Sequence, residues 1–174
     1  MKIISFSGAH GTGKTTAMYL FAHNYKKEHP TESIAVLSEV ARTCPMPINR
    51  KASGHTQWWI FNTFSNKLIE SKYKNTDTII TDRSHYDIIA YTHYQSVHGN
   101  KRLVKDVSLM LNITKTLWEP LYDKIFLRRP RKNEYLVSDG VRDTSEDYQD
   151  CIDAYITAIC LNNVKTKIEY DYSI

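Results

Sequence analysis

Cysteine is scarce in this chain. Cys44, Cys151 and Cys160 are the whole supply in 174 residues. An odd number with no close pair excludes a disulfide framework and argues against a zinc site. Plain thiols of this kind suit a reducing compartment. Long apolar runs are missing too. Nothing approaches the ~20 residues that a membrane span needs, and the apolar stretch in the opening MKIISFSG is too short for a signal peptide. The expectation is a cytoplasmic protein without a membrane partner. No repeat and no low-complexity linker breaks the chain, so one domain over residues 1–174 is expected. Charge of one sign is only mildly in excess, at +4. That suits an anionic ligand but is weak support for a nucleic-acid partner. The seven histidines form no ligand cluster.

What is present is the composition of a globular protein, 41% apolar and 24% charged. A chain of this length buries about 70% of its unfolded surface. Short apolar runs at residues 2–7, 33–38, 78–81 and 124–127 read as strands, with a last short strand at 167–172. The run SIAVLS at 33–38 reads as a buried strand. Helical spacing appears over 15–27, where Met18, Leu20, Phe21 and Tyr25 recur, and over 54–74, 85–98, 105–118 and 145–162. Ser145 is placed to cap the last of these. Alternating strands and helices predict a parallel sheet covered on both faces. In such sheets ligands bind beyond the carboxyl ends of the strands. The residues directly after each strand therefore carry the chemistry.

The first strand runs into Gly8-Ala9-His10-Gly11-Thr12-Gly13-Lys14-Thr15-Thr16, a full match to G-x-x-x-x-G-K-[ST]. Glycines let backbone N–H groups approach phosphates, and the next helix points its N-terminus at the same anion. Lys14 supplies a positive charge to the β- and γ-phosphates. The Thr15 hydroxyl suits Mg2+, which prefers hard oxygen donors. The expected ligand is a purine nucleoside triphosphate, Mg-ATP. His10 lies within this nucleotide-binding loop, its side chain free to point to solvent.

Asp82 ends the third strand and is expected to help hold Mg2+, with Arg83 beside it to reach a phosphate. Glu39 ends the second strand and is placed to accept a proton from an attacking hydroxyl, with Arg42 three residues on. Arg128, Arg129, Arg131, Lys132 and Arg142 lie in or beside a polar loop expected to act as a lid over about 129–145. Arg142 is the leading candidate to stabilise the transferring phosphoryl group, and Arg128 to contact the nucleotide. Trp58 and Tyr86, with Trp59, Phe64, Tyr91 and Tyr94, could stack on an acceptor base or pack the core.

GAHGTGKTT, SEVAR, TIITDRS and SDGVRD together resemble the small P-loop nucleoside and nucleotide kinases. The chain is most similar to the ribosylnicotinamide-kinase-like ATPase group, with a wider similarity to thymidylate and deoxynucleoside kinases. The resemblance implies a P-loop NTPase fold, a five-stranded parallel sheet of order 2-3-1-4-5. It implies ATP and Mg2+ as cofactors and a nucleoside or nucleotide as acceptor. It also implies catalytic roles for Lys14, Glu39, Asp82 and Arg142, with Asp82-Arg83 as the pair that handles metal and phosphate. Apart from the resemblance, Arg83 or Arg42 is expected to clamp the acceptor. Two rivals stay open. Basic residues at Arg50-Lys51 and 128–132 admit a kinase acting on a modified base or strand end in DNA or RNA. An ATP-dependent switch or assembly protein without an acceptor is the other. A homodimer is compatible with the sequence.

Overall fold

The structure is a computed structural model that describes residues 1–38, 40–130 and 143–170. Glu39, Arg131, Lys132 and Arg142, with residues 131–142 of the expected lid and the end of the expected last strand, lie outside the described residues.

Five strands form one parallel sheet: β1 (Lys2–Ser7), β2 (Ile34–Leu37), β3 (Thr78–Asp82), β4 (Tyr122–Leu127) and β5 (Lys167–Tyr170). Their order is β2-β3-β1-β4-β5, the order expected. Among the described residues, five α-helices connect them: α1 (Lys14–Glu28), α2 (Gly54–Tyr73), α3 (His85–His98), α4 (Val104–Ile113) and α5 (Glu146–Asn163). A π-helical turn at Thr114–Trp118 extends α4. In register, Phe6 stands beside Asp82 on one side and Phe126 on the other. The carboxyl ends of β1, β3 and β4 therefore sit level, and the loops leaving them meet at one edge.

The two faces are covered unequally. Ile4, Phe6 and Ile80 turn toward Ala17, Met18 and Tyr25 of α1. Ile3, Ile79, Ile125 and Leu127 turn the other way, into a larger core built by the remaining helices. Strand alternation sends neighbouring residues to opposite faces, so the two cores interleave along each central strand.

Two expectations need correction here. The second strand is not buried. β2 pairs with β3 alone, and as an edge strand it leaves Val36 40% exposed. On α1 the core stripe is Met18, Ala22 and Tyr25, with Phe21 at its margin, while Leu20 faces solvent. At 3.6 residues per turn Leu20 lies about 200° round from Met18, away from the sheet. The cap at Ser145 is present: its hydroxyl accepts the Tyr148 N–H at 3.4 Å.

Candidate nucleotide site

The loop after β1 turns on three glycines with positive φ, Gly8, Gly11 and Gly13. Gly8 has φ +144°, and a Cβ there would lie 2.1 Å from the Arg128 carbonyl oxygen. Gly13 caps α1 in the left-handed region at φ 74°, which L side chains rarely adopt. Between them the loop binds itself. The Thr12 hydroxyl donates to the Ala9 carbonyl at 3.0 Å. The Lys14 ammonium donates to the same oxygen at 2.5 Å and lies 3.3 Å from Thr12 Oγ1. Lys14 is thus folded over the loop and only 5% exposed.

A cavity of about 210 Å³ opens above the loop, lined by His10, Gly11, Gly13, Lys14, Thr15, Thr16, Arg42, Ile48, Asn49, Asp82 and Arg83. Nearly all the residues singled out by the motif arguments on β1 and β3 therefore meet in one place. The Thr15 hydroxyl donates to Asp82 Oδ2. Asp82 is buried, and its other oxygen, Oδ1, has no hydrogen-bond partner. A buried carboxylate oxygen left without a donor, beside a threonine hydroxyl, is a donor set that fits a hard divalent cation such as Mg2+.

Arg42 comes from a 3-10 turn at Val40–Thr43 just after β2. Arg83 follows β3 with φ 89°, an unusual conformation for a non-glycine residue. Its guanidinium lies over the Tyr91 ring at 5.1 Å and donates to the Gly8 carbonyl at 3.4 Å. Arg83, Ile48 and Asn49 also line a second, more apolar hollow, whose other walls are Ala41, Gln57, Ile60, Ile88 and Tyr91. The two hollows thus share one side.

His10 and Arg128 sit elsewhere than the sequence suggests, and Tyr86 and Trp58 take the packing alternative. The His10 side chain does not reach into solvent. It is 7% exposed, with its ring 5.2 Å from Tyr148 and Nδ1 3.3 Å from the Tyr91 hydroxyl. Arg128 lines neither hollow. It is buried behind the loop, where Nε donates to the Thr12 carbonyl at 3.0 Å. Tyr86 is fully enclosed in the core, which removes it from contact with an acceptor. Trp58 packs edge-on against Phe61 at 5.7 Å and lines neither hollow.

The sequence reading passed over several residues that build the site. Asp87 is fully buried and accepts the Gly8 N–H at 2.9 Å and the Ser84 N–H at 2.8 Å. Its local signal was Ser84-x-x-Asp87, a capping box at the start of α3. Gln149 donates to the His10 carbonyl at 2.6 Å, so α5 braces the loop. Asp153, one turn further on, accepts from Arg129 Nε at 2.6 Å. Burial raises the Asp153 pKa, against the opposing pull of Arg129. No local pattern announces these two, since each contact spans many residues of chain.

Among solved structures, 110 chains match this one. Thymidylate kinase from Ehrlichia chaffeensis superposes with a TM-score of 0.67 at 16% identity, covering 98% of this chain and 92% of that one. At that identity the likeness speaks for the fold. No curated protein matches in sequence. The family model described as "AAA domain" matches residues 3–169, nearly the whole of the chain and all of the sheet but one residue at each end. With a phosphate-binding loop at the head of a P-loop NTPase sheet, the chain belongs to that AAA domain family of nucleotide-binding proteins.

Proposed function

We propose that this protein is an ATP-dependent phosphotransferase that moves the γ-phosphoryl group to a nucleoside or nucleotide. The observation that carries the reading is the shared cavity. Arg42 and Arg83 line the same space as the phosphate loop and Lys14, and that space shares Ile48, Asn49 and Arg83 with the more apolar hollow. A triphosphate needs the loop and Lys14. Two further arginines beside a hollow walled by Ile60, Ile88 and Tyr91 fit a second ligand with an anionic end and a flat, apolar body.

In this reading the loop amides and Lys14 hold the triphosphate, and Thr15 and Asp82 hold Mg2+. Bound there, Mg2+ would neutralise charge on the β- and γ-phosphate oxygens. Arg83, backed by Tyr91, orients the acceptor, and Arg42 clamps its anionic end. Glu39 or Asp82 orients the acceptor hydroxyl, and Arg142 meets the charge of the transferring group. Gln57 and Asn49 add amide groups to the acceptor hollow. Arg50, one of the basic residues behind the polymer rival, pairs through Nε with Asp143 at 2.9 Å and has its guanidinium 5.0 Å from the Tyr148 ring centre.

The test is a coupled assay of ADP release across nucleosides, nucleoside monophosphates and oligonucleotide ends. Release that depends on a small nucleoside or nucleotide supports the reading. Release indifferent to every acceptor would make the protein an ATPase of another kind.

A further inference from the structure

We propose that Asp87 is a positioning residue that locks the phosphate loop to the acceptor-side arginine, Arg83. The proposal rests on the phosphotransferase reading of the site. Asp87 is the third residue of α3 and, through Oδ2, an ordinary cap: that oxygen accepts from the Ser84 N–H at 2.8 Å and the Ser84 hydroxyl at 2.7 Å. A cap needs nothing more. The other oxygen leaves the helix altogether. Oδ1 accepts the Gly8 N–H at 2.9 Å, 79 residues away, and lies 3.7 Å from Arg83 Nη1.

The same Arg83 nitrogen donates to the Gly8 carbonyl at 3.4 Å. Gly8 is therefore held at both its N–H and its carbonyl, once by Asp87 and once by Arg83, and these two are paired with each other. The ring closes through a residue whose φ leaves no room for substitution and another, Arg83, whose φ is also positive. A fully buried carboxylate is costly unless its donors stay in place. That cost resists any displacement of Gly8 or Arg83. The donor loop and the acceptor arginine are thereby fixed relative to one another before either ligand arrives, as positioning for in-line transfer requires.

Two measurements on the wild type need no nucleotide. Nitrogen NMR should show a coupling between the Gly8 amide nitrogen and the Asp87 carboxyl carbon, and slowed rotation of the Arg83 guanidinium. In D87N, Gly8 amide exchange should rise about tenfold or more and the Arg83 rotation should speed up, since a bond to a charged acceptor is lost. S84A, which removes the Ser84 hydroxyl's bonds to Asp87 Oδ2 and from Ser7 but neither contact of Asp87 Oδ1, should leave both signals in place. Calorimetry with Mg-ATPγS should show D87N binding about tenfold more weakly and S84A binding near the wild-type level. Absence of the wild-type coupling would overturn the proposal, and so would equal effects of S84A and D87N. A wild type that does not bind Mg-ATPγS would overturn the functional reading instead, with the two NMR signals still deciding the role of Asp87.

Discussion

Lys14 in this structure is turned onto its own loop, donating to the Ala9 carbonyl and close to the Thr12 hydroxyl. A triphosphate must draw it into charge-assisted contact with phosphate oxygens, which are stronger acceptors. Lys14→Met should therefore leave the fold intact and lower acceptor-dependent ADP release by about a hundredfold or more, as loss of a donor to developing charge does. Steady-state kinetics beside a thermal melt would check both halves. Gly8 carries a different constraint. With φ +144° and the Arg128 carbonyl 2.1 Å from any Cβ, Gly8→Ala should cost about 2 kcal/mol or more of stability through strain and clash together. Denaturant titration would show it as a lower midpoint. On the acceptor side, Gln57→Leu should raise the acceptor KM about tenfold with little change in kcat, the sign of binding lost equally in ground and transition states. A fall in kcat alone would place Gln57 away from the acceptor.

At the scale of elements, α3 is anchored by His85 as well as by its cap. His85 is fully buried, with Nε2 3.0 Å from the Ser65 hydroxyl of α2 and Nδ1 2.9 Å from the Tyr122 hydroxyl of β4. Its ring stacks on Trp118 with centroids 5.0 Å apart. Burial pulls its pKa down to about 3, from an ordinary value of 6.5. Between those two values the unfolded chain takes up a proton that the folded protein refuses. Stability from this group is thus full above pH 6.5 and is lost as pH falls toward 3, by at most about 1.4 kcal/mol per pH unit. Urea titrations across that range should show the decline. In His85→Gln the slope should flatten, because this residue then takes up no proton on unfolding.

At the scale of the whole molecule, the sheet's two faces and two edges have different fates. Four helices cover one face and α1 alone covers much of the other. Over β4 and β5 that second face is made polar instead: Lys124 and Glu169 pair at 3.2 Å, and Lys167 reaches Glu169 at 2.5 Å. The net charge is only +4, with 23 basic residues against 19 acidic ones, and Arg50 pairs with Asp143. Acceptor binding should accordingly show a shallow dependence on salt, as for a small anionic ligand. A steep loss of affinity with rising salt would reveal counterion release and a polymeric acceptor.

The phosphate-loop motif, the alternation of strands and helices, and Asp82-Arg83 at the end of the third strand were legible in the sequence because each is a local pattern. Glycine spacing, apolar runs and the residue after a strand need no knowledge of neighbours. Sheet order followed from the resemblance those motifs carry. The sequence could not show which aromatic residues would be enclosed, so Tyr86 and Tyr91 looked alike until α3 was packed: one fills the core and the other backs Arg83. Nor could it show that Arg128 turns behind the loop, or that one oxygen of Asp87 meets Gly8. Those outcomes depend on contacts between residues as far apart as 116 positions. Burial and long-range hydrogen bonds are properties of the packed chain, and only the tertiary structure decides them.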